Sequence, residues 1–278
     1  MALPWEPIGR YLRRKSARVL FRRPQAISLS GSLISFSFDD FPRSALCVGG
    51  EILNRYNLSG TYYAALGLLG RNSVSGPIAV EEDLKRCLEE GHELACHTFS
   101  HLDSWQTPAK LFEDSVIQNS LALDDLIPGA KFRSFSYPMS EPHPLIKRAV
   151  ARHFRCCRSG GQKINFGTVD LNQLSAYFLE KAGENIEPIK NLIDQNRQLR
   201  GWIIFGTHDI SPQPSPYGCT PEFFDEVVRC AIDSGARVLP VAEALNVVCG
   251  LQGSVSGSYG NGTAAPVSPE GPAGPASV

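Results

Sequence analysis

The chain has 278 residues, 42% of them hydrophobic and 20% charged, the profile of one large globular domain rather than a disordered or fibrous protein. Lys and Arg number 27 against 28 Asp and Glu, a formal net charge of -1, so no global basic excess argues for a nucleic-acid partner. No uncharged apolar run approaches the roughly 18 residues of a membrane span, and no apolar region follows the first basic residues, so a cytoplasmic protein is expected.

In chain order, residues 1–26 read as a basic extension. Arg10, Arg13, Arg14, Lys15, Arg18, Arg22 and Arg23 are interleaved with Tyr11, Leu12, Val19, Leu20 and Phe21. That pattern suits a basic amphipathic helix, and residues 10–23 are a candidate for peripheral contact with an anionic membrane; the alternative is an extension resting on the body. From 27 to 250 short β-rich runs alternate with helical patterns. The strands are expected at Leu33–Phe38, Gly60–Ala64, His92–Cys96, Phe132–Tyr137, Arg155–Arg158, Ala176–Leu179, Trp202–Thr207 and Arg237–Pro240. The helices are expected at Ala45–Tyr56, Val80–Glu90, Pro108–Asp125, His143–His153, Asn185–Gln198, Pro221–Ser234 and Val241–Val248. Thr107 and Thr220, each before a proline, are candidate helix N-caps. Such alternation means parallel strands with crossover helices, hence a single α/β domain built as a layered sheet or barrel. Residues 251–278, rich in Gly, Pro and Ser with Glu270 as their only charge, are expected to be disordered. The 8 cysteines form no C-x-x-C pair and are expected to be reduced and mostly buried.

Three clusters carry chemistry. Ser35-Phe-Ser-Phe-Asp-Asp-Phe41 ends an apolar strand on adjacent carboxylates, Asp39 and Asp40, which repel each other and are costly to desolvate unless a cation is bound. His97-Thr-Phe-Ser-His101 places two imidazoles four residues apart. On one helical turn they could face one metal and, with a carboxylate, leave positions open for water. Trp202-Ile-Ile-Phe-Gly-Thr-His-Asp209 is a buried strand that ends on His208, a candidate general acid.

In this order and spacing, and with Gly60-Thr-Tyr-Tyr63, Phe135-Ser-Tyr-Pro138 and Gly218-Cys-Thr-Pro-Glu222 beside them, the clusters resemble the polysaccharide deacetylase family, also called NodB-like or carbohydrate esterase family 4. The resemblance runs from about Ser32 to Val248. It implies a distorted, incomplete (β/α) barrel and hydrolysis of an N-acetyl group from an acetylated saccharide, a reaction at a carbon–nitrogen bond outside peptides. It further implies that Asp40, His97 and His101 hold one divalent metal, commonly zinc, with cobalt as an alternative. Asp39 would be the base and His208 the acid. The residues Tyr137, Pro138 and Met139 would border the substrate, with the Met139 N–H in the oxyanion hole. An O-deacetylase or a cyclic-amide hydrolase on the same fold, and a non-catalytic carbohydrate-binding relative, are the competing readings.

The sequence departs from the family pattern where Ser136 stands in place of an arginine, Ser140 in place of a glycine and Cys96 in place of a frequent asparagine. Gly206 replaces a large aliphatic residue, so a roomier acyl pocket is expected. The missing arginine would hold the base aspartate. Arg133 is expected to point to the wrong face, whereas Arg158, at the end of the next strand, is expected to reach Asp39.

Overall fold

The strand Leu33–Phe38, β1, shows how the core is divided. With a side-chain period of two, Ile34, Phe36 and Phe38 face outward into the larger apolar cluster, where they meet helices. Leu33, Ser35 and Ser37 face the other way, into the barrel. Ser35 Oγ accepts a hydrogen bond from Trp202 Nε1 at 3.0 Å, and Ser37 Oγ donates to the Phe205 carbonyl at 2.8 Å. Interior hydroxyls are thus satisfied layer by layer.

The computed structural model describes residues 15–139 and 141–251. The strands that follow β1 in its sheet are β2 (Thr61–Ala64), β3 (Glu93–Cys96), β4 (Phe135–Ser136), β5 (Cys157–Ser159), β6 (Leu174–Ser175), β7 (Tyr177–Phe178), β8 (Trp202–Thr207) and β9 (Arg237–Val238). Their order is β6-β5-β4-β3-β2-β1-β8-β7, all pairings are parallel, and β9 pairs with the first residues of β1. One bent segment, residues 174–178, pairs with β5 at its start and with β8 at its end. That bend brings the two edges together in a nearly closed barrel, the distorted (β/α) architecture expected from the sequence.

Helices α1 (Glu51–Arg55), α2 (Glu81–Glu89), α3 (Ala109–Leu126), α4 (Pro144–Val150), α5 (Ile186–Leu199) and α6 (Pro221–Asp233) supply the crossovers. α7 (Val241–Val248) sends Val241, Ala244 and Leu245 into the second apolar cluster with Trp202, Ile204 and Leu174, and so plugs the end of the barrel where β1 starts. Glu93 fastens that plug. It accepts from Ala242 N at 2.8 Å, Ser134 Oγ at 2.7 Å and Thr61 Oγ1 at 3.0 Å. Burial raises the Glu93 carboxyl above the usual range despite these donors.

All seven expected helices are present, and β1 and β8 have the expected limits. Thr220 caps α6, with its side chain accepting from Phe223 N, whereas α3 begins one residue late, after Pro108, so Thr107 caps nothing. All eight cysteines are free, five of them buried. Among the described residues no helix is long and apolar enough to cross a membrane.

The basic N-terminal segment is helical only over residues 15–19 among those described, then turns and enters a short strand, Pro24–Ala26, antiparallel to Thr168–Asp170. The rest of the expected helix, and the tail beyond Leu251, lie outside the described residues. Residues 16–26 are tied to the body by buried polar groups. Lys147, with its side chain fully buried, donates to the Ala17 carbonyl at 2.7 Å and pairs with Asp170 at 2.5 Å. Arg23 Nη2 donates to the Phe154 carbonyl at 2.9 Å, and Asn172 Nδ2 to the Phe21 carbonyl at 2.9 Å.

Replacing Lys147 by Ala leaves the Asp170 carboxylate without its cation, with only the N–H groups of Arg23 and Asn172 to hold it, so it is expected to lower stability by about 3 kcal/mol in urea unfolding. The double variant Lys147→Met/Asp170→Leu, which leaves no unpaired charge, is expected to lose less. Equal losses would mean that the ion pair is not the anchor.

Candidate active site

The mouth of the barrel is built where β1 stops. Asp39 stays in the ladder, donating its N–H to the Thr207 carbonyl at 2.9 Å, and its side chain keeps the inward parity of Ser35 and Ser37. The next two residues leave it in the left-handed region, Asp40 with φ 61° and Phe41 with φ 54°. Such conformations are costly for side-chain-bearing residues and persist where surrounding structure enforces them. Phe41, fully buried, has its ring 4.8 Å from that of Tyr62. This turn separates two adjacent carboxylates, sending Asp40 to the loop after β3.

That loop carries His97 and His101, but not on a helical turn as the spacing predicted. Thr98 (φ 59°) and His101 (φ 52°) are left-handed, and the N–H groups of Phe99 and Ser100 are satisfied by Ser115 on α3 instead of by preceding carbonyls. The side chains converge nonetheless. Ligand atoms of Asp40, His97 and His101 lie within 4.8 Å of one another, with Asp40 Oδ1 3.4 Å from His97 Nε2 and 3.1 Å from His101 Nε2. His97 Nδ1 donates to the Ser136 carbonyl at 2.9 Å, which fixes the proton on Nδ1 and leaves the Nε2 lone pair facing Asp40. Burial raises the Asp40 carboxyl, and the imidazoles of His101 and His97 outweigh it, holding the group far below the usual carboxylate range. Asp40 Oδ1 is nevertheless buried without a hydrogen-bond partner. Two imidazole nitrogens and an orphaned carboxylate oxygen fit a divalent cation.

On the inner side, Arg158 Nη2 meets Asp39 Oδ1 in a close ion pair and also donates to Ser136 Oγ at 2.6 Å. Register explains the contact. Ser136 and Arg158 are directly paired across β4 and β5, so the short side chain leaves room for the long one on the same face. The guanidinium lies 4.7 Å from the ring centre of Tyr63 and 5.3 Å from that of Phe178, and Arg158 is 1% exposed. Burial raises the Asp39 carboxyl, but Arg158, then His97 and His208, hold it below the usual range. Arg133 is exposed, away from this face.

The roomier acyl pocket expected at Gly206 is not there. A Cβ on Gly206 would sit 2.9 Å from the Phe178 ring, so a bulky neighbour already fills the space. Phe178 also stacks on His208, at 6.2 Å between ring centres. His208 is half-buried, and its Nδ1 donates to the Tyr217 carbonyl at 3.2 Å, which leaves Nε2 for the mouth. Asp209 holds the loop carrying Tyr217, accepting from Ser215 N at 2.8 Å and Ser215 Oγ at 2.5 Å.

Of the three residues expected to border the substrate, Tyr137 is corrected to a supporting role. It is buried, its N–H donates to the Arg158 carbonyl at 3.0 Å and its hydroxyl to the Asn172 carbonyl at 3.1 Å, so neither donor is free. Pro138 is buried behind it and has no N–H to offer. Met139 is left-handed (φ 58°) and 64% exposed, and among the described residues its N–H has no acceptor. Ser140 lies outside the described residues.

Residues 27–154 match the profile of the family described as Polysaccharide deacetylase. That match takes in a little under half of the chain, and its likeness is to the polysaccharide deacetylase family. A bifunctional xylanase/deacetylase of Pseudobutyrivibrio xylanivorans is 26% identical over 141 residues, which span 48% of this chain and only 22% of that relative. A family 4 acetyl xylan esterase from Clostridium thermocellum, solved in complex with a cobalt ion, has the same fold. Its TM-score is 0.56 at 20% identity, over 80% of this chain and 93% of that one. The chitin deacetylase of Colletotrichum lindemuthianum gives a TM-score of 0.54 at 15% identity, over 78% and 89% of the two chains. The shared fold therefore covers much more of the chain than the matched residues.

Sequence reasoning missed Phe178 and Tyr63 as the two faces of the Arg158 slot. Tyr63 stands in a quoted motif, and its inward parity could have been counted; for Phe178 the limits of its strand had to be known first.

The Asp39–Arg158 pair is buried, so Arg158→Met should destabilise the fold by about 3–5 kcal/mol, because a buried carboxylate is left unpaired. Adding Asp39→Asn should restore part of that loss. A double-mutant cycle by denaturant titration that shows no coupling would contradict the pairing.

Proposed function

We propose that the chain is a metal-dependent hydrolase that removes the N-acetyl group of an acetylated aminosugar in an oligo- or polysaccharide, releasing acetate. The observation that supports this reading is the meeting, at one barrel mouth, of an ion-paired carboxylate, a three-side-chain cation site and a tethered imidazole.

Asp40, His97 and His101 would hold one divalent cation, zinc in the first instance, which when bound would polarise the acetyl carbonyl and acidify water beside it. Asp39 takes the proton of the attacking water. Arg158 and Ser136 keep that carboxylate ionised and turned to the mouth, the part the family gives to an arginine at the position of Ser136. Met139 N–H donates to the oxygen that becomes negative as the carbonyl carbon turns tetrahedral. His208, oriented through Nδ1, delivers a proton from Nε2 to the leaving nitrogen. Amide cleavage depends on such an acid, because an unprotonated amine is a poor leaving group, whereas an ester can part with its alkoxide more readily. A placed acid therefore favours the N-acetyl over the O-acetyl reading, which the likeness to an acetyl xylan esterase keeps in view. A non-catalytic relative is disfavoured by the presence of a suitable side chain at each ligand, base and acid position.

Acetate release from chitotetraose and from acetylated xylan, with zinc or cobalt added and with a chelator, tests the reading; release from neither substrate by metal-loaded protein would sink it. Asp39→Asn is expected to keep the metal and lose about 10²–10⁴-fold in rate, whereas His97→Ala should lose the metal. Equal metal content in His97→Ala and the unmodified chain would remove the ligand assignment.

A further inference from the structure

Beside the mouth lies a cleft of about 610 Å³ that the mechanism above does not use. It begins at groups the site shares. Met139 and Phe178 line it, and so does Ser159, next to Arg158. It ends against the N-terminal segment, where Arg18 and Arg22 form the far wall, and Lys163 and Lys181 stand along its side. Its volume is that of an ordinary ligand pocket.

The charge of the cleft is lopsided. Its acidic members are Glu141 and Asp170, and Asp170 is already neutralised by the buried Lys147. Lys181 is near Glu180 at 3.5 Å, but Arg18, Arg22 and Lys163 have no ion pair among the described residues. Nor is the far wall a loose end. Lys147, Arg23 and Asn172 fix it through the carbonyls of Ala17, Phe154 and Phe21 respectively. Three cations without an ion pair among the described residues, on a wall that continues from the reacting groups, raise the local concentration of anions and favour a ligand that carries negative charge at a distance from its acetyl group.

We propose that this cleft binds an anionic group, carboxylate or phosphate, on the same saccharide whose acetyl group reaches the mouth, so that the substrate class is an acidic glycan; this rests on the deacetylase reading. Continuity with the mouth favours a saccharide over a membrane surface. A bilayer would engage the convex side of the segment, where Val19, Leu20 and Phe21 are 63%, 45% and 39% exposed, and would not need the cleft.

Equilibrium binding to the full chain separates the cases. One probe is a hyaluronan tetrasaccharide, in which acetamido sugars alternate with uronates, set against chitotetraose, which has the acetamido sugars without charge. The other is N-acetylglucosamine 1-phosphate against N-acetylglucosamine, so the two comparisons distinguish carboxylate from phosphate. At low salt at least one anionic probe should bind about tenfold more tightly than its neutral counterpart, with the preference shrinking as salt rises. Arg18→Glu/Arg22→Glu should abolish the preference. If that variant fails to fold, Lys163→Glu, an exposed change, should reduce it. Equal affinity for charged and neutral probes, or a preference that survives these substitutions, overturns the proposal. So does binding to phosphatidylglycerol vesicles with no preference among the saccharides. Acetate release from the hyaluronan tetrasaccharide and from chitotetraose by the same metal-loaded preparations reports on the deacetylase reading separately: an anionic preference without acetate release from either would sink that reading and leave the charge preference of the cleft standing.

Discussion

Two carboxylates on consecutive residues at the buried end of a strand are the constraint around which the rest of this molecule is arranged. Side by side at a largely buried strand end they would repel each other, and one would be forced to take up a proton. The fold avoids that by giving each its own cationic surroundings. The left-handed pair Asp40 and Phe41 turns the two side chains apart. Asp39 faces the guanidinium of Arg158, and Asp40 faces two imidazoles. Both stay ionised, but in different states of satisfaction. The Asp39 oxygen is fully engaged by a protein cation, while an Asp40 oxygen has no hydrogen bond. In the proposed mechanism that asymmetry is the division between a base and a ligand.

The barrel delivers these groups by counting. Asp39, His97, Ser136, Arg158 and His208 all have inward parity, near the carboxyl ends of β1, β3, β4, β5 and β8. Parallel strands bring those ends to one side, which is where α/β barrels react. Parity was legible from sequence wherever a strand had a clear apolar run. β1 and β8 could be read to the residue, and Arg133 and Arg158 could be told apart by face alone. What could not be read was set by contacts distant in sequence. The His97–His101 segment has helical spacing, yet Ser115 on α3 captures its N–H groups and excludes the helix. The space at Gly206 looked vacant because Phe178 reaches it from the bent segment that closes the barrel, and nothing local to Gly206 announces that neighbour. Tyr137 has the right place in its motif, but its donors are consumed by the next strand and by Asn172.

The N-terminal segment gives a similar lesson. Its basic residues with interleaved apolar ones suited an amphipathic helix on a membrane surface as well as an extension resting on the body, and local periodicity alone does not choose between them. From Ser16 on, the backbone instead follows the body, because its carbonyls are claimed by Lys147, Asn172 and Leu171. Burying Lys147 costs desolvation that only a fixed partner offsets, so the segment is part of the domain's architecture, and its arginines form a wall of the cleft.

The relation of Ser136 to Arg158 shows how two neighbouring strands share one carboxylate. In a parallel pair, residues in register project side by side from the same face. A long cation on either strand can therefore reach the same carboxylate, provided that the other residue is short enough to leave the path open. Here Ser136 is the short one, and it is not a passive gap. Its hydroxyl accepts from the guanidinium and lies 3.4 Å from the carboxylate, while its carbonyl holds His97. The rings of Tyr63 and Phe178 flank the guanidinium, and Phe178 occupies the space that the glycine at 206 leaves. Ser136, Arg158, Phe178 and Gly206 thus form one packed set around the guanidinium beside Asp39, so that the short residue on β4, the long cation on β5, the ring and the glycine that admits it fit together.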